Sequence, residues 1–321
     1  MSSSRVLVAL YGPTSSGKTA LSLDLAERVS RELRLEPVVI SADSRQVYRY
    51  MDIGTSKTMP GERHGIRHEM IDVAEPVRKF ELDEYVRQAR AHIEWCFQNA
   101  ALPLVVGGTA VYVRSLLEGW EVDAVAAATA SVRRDFPKSM AADAYAMLRR
   151  LDRAAAARVH PNNYDGVVNA LGRVMAGQGR DDRRRADDDM RTVVLGLDRP
   201  VRQLDARVAE TFDHQMDAGL HDEVLDLEER YDLDAEMRRR GRRSANQVLR
   251  THGYREFFEI ASERGKRVTA LNKAELGAVR DRVVATIQAH TRRQRSAFAK
   301  MPGLVRVRSA DDAVARIKEG R

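Results

Sequence analysis

The sequence holds a single cysteine, Cys96, in 321 residues. No intrachain disulfide can form, which excludes a disulfide-stapled secreted fold and dithiol redox chemistry. Beside Trp95 in a helical stretch, that cysteine reads as a small buried hydrophobe. No apolar run approaches the ~18 residues of a membrane span. Residues 1–5 lead straight into an apolar strand and lack the layout of a secretory signal, so a cytoplasmic protein is expected. No internal repeat or low-complexity tract is present.

What remains is the composition of an ordinary soluble protein, 43% hydrophobic and 31% charged. The length suits one large domain carrying an insertion, or about two domains. Lys and Arg number 54 against 47 Asp and Glu, a net charge of +7 that permits a polyanionic partner.

Residues 5–10 (RVLVAL) and 37–41 (PVVIS) are apolar runs of strand length separated by a helical pattern over 18–33. Residues 70–73 and 103–106 (PLVV) continue the series, with an amphipathic stretch over 82–99 between them, and 192–197 (TVVLGL) reads as a late strand returning to the sheet. The expected fold is α/β, a parallel phosphate-loop sheet flanked by helices. A first core part over 1–119 gives way at 120–190 to an alanine- and arginine-rich helical insertion, which ends in a charged run from 180. Residues 191–321 then supply the last core strand and a basic helical C-terminal part, whose final helix is read over 275–300.

Gly12-Pro13-Thr14-Ser15-Ser16-Gly17-Lys18-Thr19 satisfies G-x-x-x-x-G-K-S/T directly after a strand and before a helix, the context a phosphate-binding loop requires. The glycines let the backbone wrap an anion, Lys18 places a charge on a phosphate, and the Thr19 hydroxyl reaches a magnesium ion bridging phosphate oxygens. Phosphate loops that hydrolyse ATP usually end a central strand in a magnesium-holding Asp, yet the 103–109 run (PLVVGGT) carries no acid. An acid instead follows the second strand, Asp43, where a carboxylate can take a proton from a substrate amine or hydroxyl. Gly107, Gly108 and Thr109 add a donor cluster at a third strand end.

These blocks, with 43–48 (DSRQVY), 51–57 (MDIGTSK), 65–68 (GIRH), Ile71-Asp72 and Tyr112, resemble the tRNA dimethylallyltransferase (tRNA isopentenyltransferase) family. Later stretches fit as well: 160–163 (HPNN), 197–200 (LDRP) with Arg207, Gly219-Leu220 with Glu223-Val224, 253–255 (GYR), and Arg293-Gln294 with Phe298. The resemblance implies a prenyltransferase with dimethylallyl diphosphate as donor, Mg2+ as cofactor, and the N6 amine of an adenosine in the tRNA anticodon loop as nucleophile. It implies Asp43 as proton acceptor, with Thr19 and Thr109 as further catalytic groups. Residues Gly12 to Thr19 and Arg207 would hold the diphosphate, with Thr19 on the metal. Asp43, Ser44, Arg45, Gln46, Arg250, Gly253, Tyr254, Arg255, Arg292 and Arg293 would contact tRNA. Arg238, Arg239, Arg240, Arg242, Arg243 and Arg295 are further candidates for the grip on RNA. A monomer is expected.

The chain departs from the family where Asn163 stands in place of an Asp after the Pro161-Asn162 pair and 164–169 (YDGVVN) lack the arginines of the following helix, where Ile287-Gln288 replaces a Thr-Arg pair, and where Ala297 replaces a tryptophan before Phe298. Donor chemistry is intact by this reading and acceptor recognition is altered. Three alternatives stay open: prenyl transfer to a free adenine nucleotide, a phosphate-loop small-molecule kinase, and a non-catalytic RNA-binding protein.

Overall fold

The computed structural model describes residues 5–118, 122–177 and 190–319. In chain order these begin with β1 (Arg5–Tyr11), α1 (Lys18–Arg28), β2 (Glu36–Ser41), β3 (Arg67–Glu69), α2 (Leu82–Gln98), β4 (Ala101–Gly107) and α3 (Ala110–Leu117). Four helices follow, α4 (Val122–Asp135), α5 (Ala141–Leu151), α6 (Arg153–Ala156) and α7 (Tyr164–Met175). The chain then runs through β5 (Met190–Gly196), α8 (Val201–Asp217), α9 (Leu220–Tyr231), α10 (Leu233–Arg240), α11 (Arg255–Glu263), α12 (Lys273–Phe298), β6 (Leu304–Arg306) and α13 (Ala310–Glu319).

Two compact units divide the chain. The first comprises residues 1–81, 88–113 and 190–321, the second residues 82–87 and 114–189. Within the first, the described strands form a six-stranded sheet in the order β3-β2-β4-β1-β5-β6, every pairing parallel. β1 is buried on both faces, as a central parallel strand must be. Val6, Val8 and Leu10 meet Leu25 of α1 and Val314 and Ile317 of α13 in one core. On the opposite face Tyr11 stacks on Phe298 of α12 at 5.7 Å between ring centroids.

Three sequence expectations shift. The strand expected at 70–73 is β3 at Arg67–Glu69, because Met70 and Asp72 take left-handed backbone at φ 64° and 58° and turn the chain. The helical pattern over 18–33 ends as α-helix at Arg28 and continues as a π-helical turn over Val29–Leu33. The helix read as final is followed by β6, which extends the sheet beyond β5, and by α13.

In the second unit α4, α5 and α7 bury Val132, Ala144, Leu148, Val167, Val168 and Leu171 against one another. Asn163 caps α7 by accepting from the Gly166 N–H at 3.1 Å, and Asp152 caps α6 by accepting from Ala155 at 2.7 Å. The charged run from 180 and Trp120 lie outside the described residues.

Candidate functional site

The order of the strands sets the carboxyl ends of β1, β4 and β2 side by side, the position at which open parallel sheets bind ligands. Residues 12–17 leave β1 and turn into α1. Gly17 stands at φ 96° and opens α1 without a side-chain cap, so the first-turn amides face an incoming anion. Gly12 admits no Cβ, which would fall 2.3 Å from the Leu197 carbonyl oxygen. Lys18 Nζ donates to the Pro13 carbonyl at 2.7 Å. Burial pulls its pKa down to about 8, and the Asp43 carboxylate opposes that drop. The Ser16 hydroxyl is buried with no partner among the described residues, a polar group in wait of a ligand.

Two arginines grip this loop from outside. Arg207 on α8 donates Nε to the Ser15 carbonyl at 2.8 Å, and Arg199, just ahead of α8, donates Nε to the Ser16 carbonyl at 2.7 Å. Their Nη2 atoms lie 3.7 Å and 3.6 Å from where a Cβ on Gly17 would stand, both at the mouth of α1. Arg207, expected from the sequence to hold a diphosphate, thus lies against the phosphate loop. Arg199 stands ahead of α8, outside any helical period, and only the tertiary fold reveals its reach to the loop.

Asp43 follows β2, half-buried, and its Oδ1 accepts from the Arg45 N–H at 2.8 Å. Thr109, after β4, accepts from the Ser44 N–H at 3.0 Å through its hydroxyl and donates its own N–H to the Ala42 carbonyl at 3.1 Å. The two strand ends are thus sewn together around Asp43. Gln294 on α12 extends the seam to the phosphate loop. Its Oε1 accepts from the Thr14 N–H and hydroxyl, both at 2.9 Å, and its Nε2 donates to the Gly108 carbonyl at 3.1 Å. One turn earlier, His290 faces His252 with ring centroids 5.6 Å apart. Burial, His252 and Arg293 hold the His290 pKa below the usual histidine value while Asp43 pulls the other way, which leaves a neutral imidazole. No sequence signal marked His290.

The residues expected on tRNA divide. Arg45 donates Nη1 to Gln247 Oε1 at 3.2 Å, and Gln46 joins β2 to residues 55 and 56. Arg250 is exposed, with Nη1 3.3 Å from the Ser244 carbonyl, and Arg293 is exposed. Arg292 pairs with Asp205 at 2.8 Å, and Arg295 makes a bidentate pair with Asp198, both contacts 3.0 Å. Gly253, Tyr254 and Arg255 depart from the expectation of an RNA-facing segment. Tyr254 is fully buried with its hydroxyl on Glu223 at 2.6 Å, Gly253 N–H donates to Glu256 at 2.9 Å, and Arg255 is spent on the buried Glu256 at 2.9 Å. The cause is the tertiary fold, which turns this segment inward. Of the remaining candidates, Arg239 and Arg240 pair with Glu236, and Arg242 pairs with Glu259.

Among the described residues no cluster of three or more His, Cys, Asp or Glu could hold a metal ion by itself, and no helix is long and apolar enough to cross a membrane.

The family model described as IPP transferase matches residues 46–301. A tRNA dimethylallyltransferase of Roseiflexus sp. (strain RS-1) is 39% identical over 230 residues, covering 70% of this chain and 73% of the relative. One from Nocardia farcinica is 33% identical over 316 residues, covering 96% and 91%. The crystal structure of the full-length tRNA isopentenylpyrophosphate transferase from Bacillus halodurans superposes with a TM-score of 0.64 at 25% identity, covering 98% of each chain. With a phosphate loop after β1, an acid after β2 two strands away and relatives matched over most of its length, the chain belongs to the IPP transferase family.

Proposed function

We propose that the protein transfers a dimethylallyl group from dimethylallyl diphosphate to the N6 amine of an adenosine in the tRNA anticodon loop, releasing diphosphate and acting as a cytoplasmic monomer. The observation that carries this reading is an anion cradle and a carboxylate at the same end of the sheet: the phosphate loop follows β1, Asp43 follows β2, β4 lies between them, and Thr109 ties the Asp43 loop to the β4 strand end. A cradle alone fits a kinase equally well. Relatives named tRNA dimethylallyltransferase over 96% of the chain favour the prenyl reaction.

In the reaction the C1–O bond of the allylic diphosphate breaks and the N6–C1 bond forms, while N6 gives up a proton. Lys18, Arg199, Arg207 and the first-turn amides of α1 stabilise the charge that collects on the leaving diphosphate. Asp43 accepts the hydrogen bond of the amine and takes its proton, so that the amine needs placement more than strong activation. Mg2+ fits the donor set. Thr19 offers a hydroxyl at an exposed position, Ser16 offers a buried hydroxyl without a partner, and magnesium keeps most of its shell from waters and phosphate oxygens. When bound it would supply further neutralisation of the diphosphate. The adenine must leave its stack to reach the crevice, and the exposed Arg250 and Arg293 are suited to the surrounding phosphates.

The test is mass spectrometry of products when purified protein, magnesium and dimethylallyl diphosphate meet unmodified tRNA, AMP and ADP in parallel. Product on tRNA alone supports the reading, and product on AMP or ADP replaces the acceptor. No product on any of them refutes prenyl transfer. Asp43→Ala is expected to abolish transfer while donor binding persists; near-normal turnover in that variant removes Asp43 from the mechanism.

A further inference from the structure

Glu223 on α9 performs a task that the reaction scheme above does not use. Its carboxylate accepts from three successive backbone N–H groups, those of Asp52 at 3.0 Å, Ile53 at 2.7 Å and Gly54 at 3.2 Å. Consecutive amides converging on one anion form a nest, and each such charge-assisted bond is stronger than a neutral one. The Tyr254 hydroxyl supplies the fourth donor at 2.6 Å, and its ring lies so close to Gly54 that a Cβ there would stand 2.4 Å from it. Gln215 adds bonds to the Ile53 carbonyl and the Ser56 hydroxyl, both at 2.9 Å. The turn over residues 52–56 is held from several sides.

That turn carries the two carbonyls that fix Gln46. Gln46 Nε2 donates to the Thr55 carbonyl at 3.2 Å and the Ser56 carbonyl at 3.3 Å. Because a carbonyl can only accept, the amide nitrogen must face the turn and the amide oxygen must face away. The oxygen, Oε1, accepts from the Ser41 hydroxyl at 3.0 Å at the end of β2, which leaves it a second lone pair three residues from Asp43. Both hydrogens of the amide are committed, so Gln46 has no donor to offer a base.

We propose that Glu223 and Tyr254 are positioning residues for the acceptor: by holding the 52–56 turn they lock the Gln46 amide with its oxygen outward, which selects a base bearing an exocyclic amine over one bearing a keto oxygen. The inference rests on the adenosine acceptor proposed above. A keto base would set oxygen against oxygen at Gln46, and only a flip of the amide could relieve that clash. Flipping is blocked while the turn keeps its two carbonyls in place.

The experiment compares the binding of anticodon stem-loop RNAs carrying adenosine or inosine at the target position, every preference being a ratio of dissociation constants, and measures prenyl transfer on the adenosine RNA alone, because inosine has no N6 amine to accept the group. Wild-type protein should prefer the adenosine RNA by about tenfold, the worth of one well-placed hydrogen bond. Glu223→Gln turns an amide toward donors that expect a carboxylate and loosens the turn. The KM for the RNA should rise about tenfold and the preference should fall to about twofold, with the KM for dimethylallyl diphosphate unchanged. Tyr254→Phe keeps the ring on Gly54 and should shift both readouts in the same direction by a smaller factor. Glu223→Gln with an intact preference overturns the inference, whether the variant is otherwise silent or merely lowers the melting temperature and both KM values together. Wild-type protein that transfers a prenyl group while Glu223→Gln keeps its preference leaves the proposed function standing and sinks the clamp. Wild-type protein that prefers the adenosine RNA and transfers nothing does the reverse, provided Glu223→Gln erases that preference.

Discussion

Gln294 offers the cleanest test of how the donor site is assembled, because one side chain joins the phosphate loop to the β4 turn without touching the diphosphate's strongest ligands. Gln294→Ala removes two bonds to Thr14 and one to Gly108. A partly buried hydrogen bond contributes about 1 kcal/mol net, and the Thr14 hydroxyl can rotate to water, so the loss is about 2 kcal/mol. Since Thr14 belongs to the loop, the cost falls on its ordering, and diphosphate affinity should drop about thirtyfold. Calorimetric titration with inorganic diphosphate, alongside the KM for dimethylallyl diphosphate, reads it directly. Gln294→Glu sharpens the result. The glutamate keeps acceptors for Thr14 but turns an anion on the Gly108 carbonyl and adds negative charge beside the diphosphate, so it should bind more weakly than the alanine variant. Affinity within twofold of wild type for Gln294→Ala, or tighter binding by Gln294→Glu than by Gln294→Ala, would refute the reasoning.

The Lys18 ammonium, drawn down to about 8, is charged below that value and neutral above it. Diphosphate affinity should hold through neutral pH and fall as pH rises past 8, by up to about tenfold per unit for one coupled proton; a flat binding profile between pH 7 and 9.5 excludes Lys18 as the titrating group. Arg199→Ala and Arg207→Ala should each weaken diphosphate binding by about tenfold or more, and their double-mutant cycle should show coupling because both address one anion at Gly17. Strict additivity would place the two arginines on separate ligands. Lys57, whose side chain is 1% exposed between Asp52 and Asp72, anchors the 52–57 segment. Lys57→Met should lower stability by about 1 kcal/mol in urea unfolding, since the two carboxylates it leaves are partly solvated while the segment loses its anchor, and an unchanged midpoint would contradict that.

Much of this was legible in the amino-acid order because parallel strands buried on both faces need continuous apolar runs. The stretches at β1, β2, β4 and β5 are such runs, and the glycine-lysine signature between β1 and α1 leaves one structural solution. The edge strands were not legible. β3 and β6 span three residues each, too few for a period, and β3 is displaced by turns that only the backbone at Met70 and Asp72 reveals. Site residues followed the same division. Asp43, Thr109 and the loop 12–19 sit at strand ends whose adjacency follows from topology. Tyr254 and Arg255 lie in a loop string that reads as surface, and their burial depends on Glu223 and Glu256, partners that no local pattern announces. The arginines' fates were hidden likewise: Arg292 and Arg295 meet Asp205 and Asp198, which stand 87 and 97 positions away.

The insertion of β4 between β1 and β2 also makes the sheet a ruler. Neighbouring strands stand about 4.8 Å apart, so the carboxyl ends of β1 and β2 are separated by about 10 Å, with β4 marking the midpoint. In the proposed reaction, a diphosphate held past β1 and an amine held past β2 would have their spacing set by backbone hydrogen bonds between strands. Thr109 stands at the middle graduation, bonded to Ser44 and Ala42 after β2. Side-chain changes around the crevice can alter which donor or acceptor is taken, but the spacing between the two ends of the reaction is written into the pairing of β2, β4 and β1 and would move only if the sheet were rebuilt.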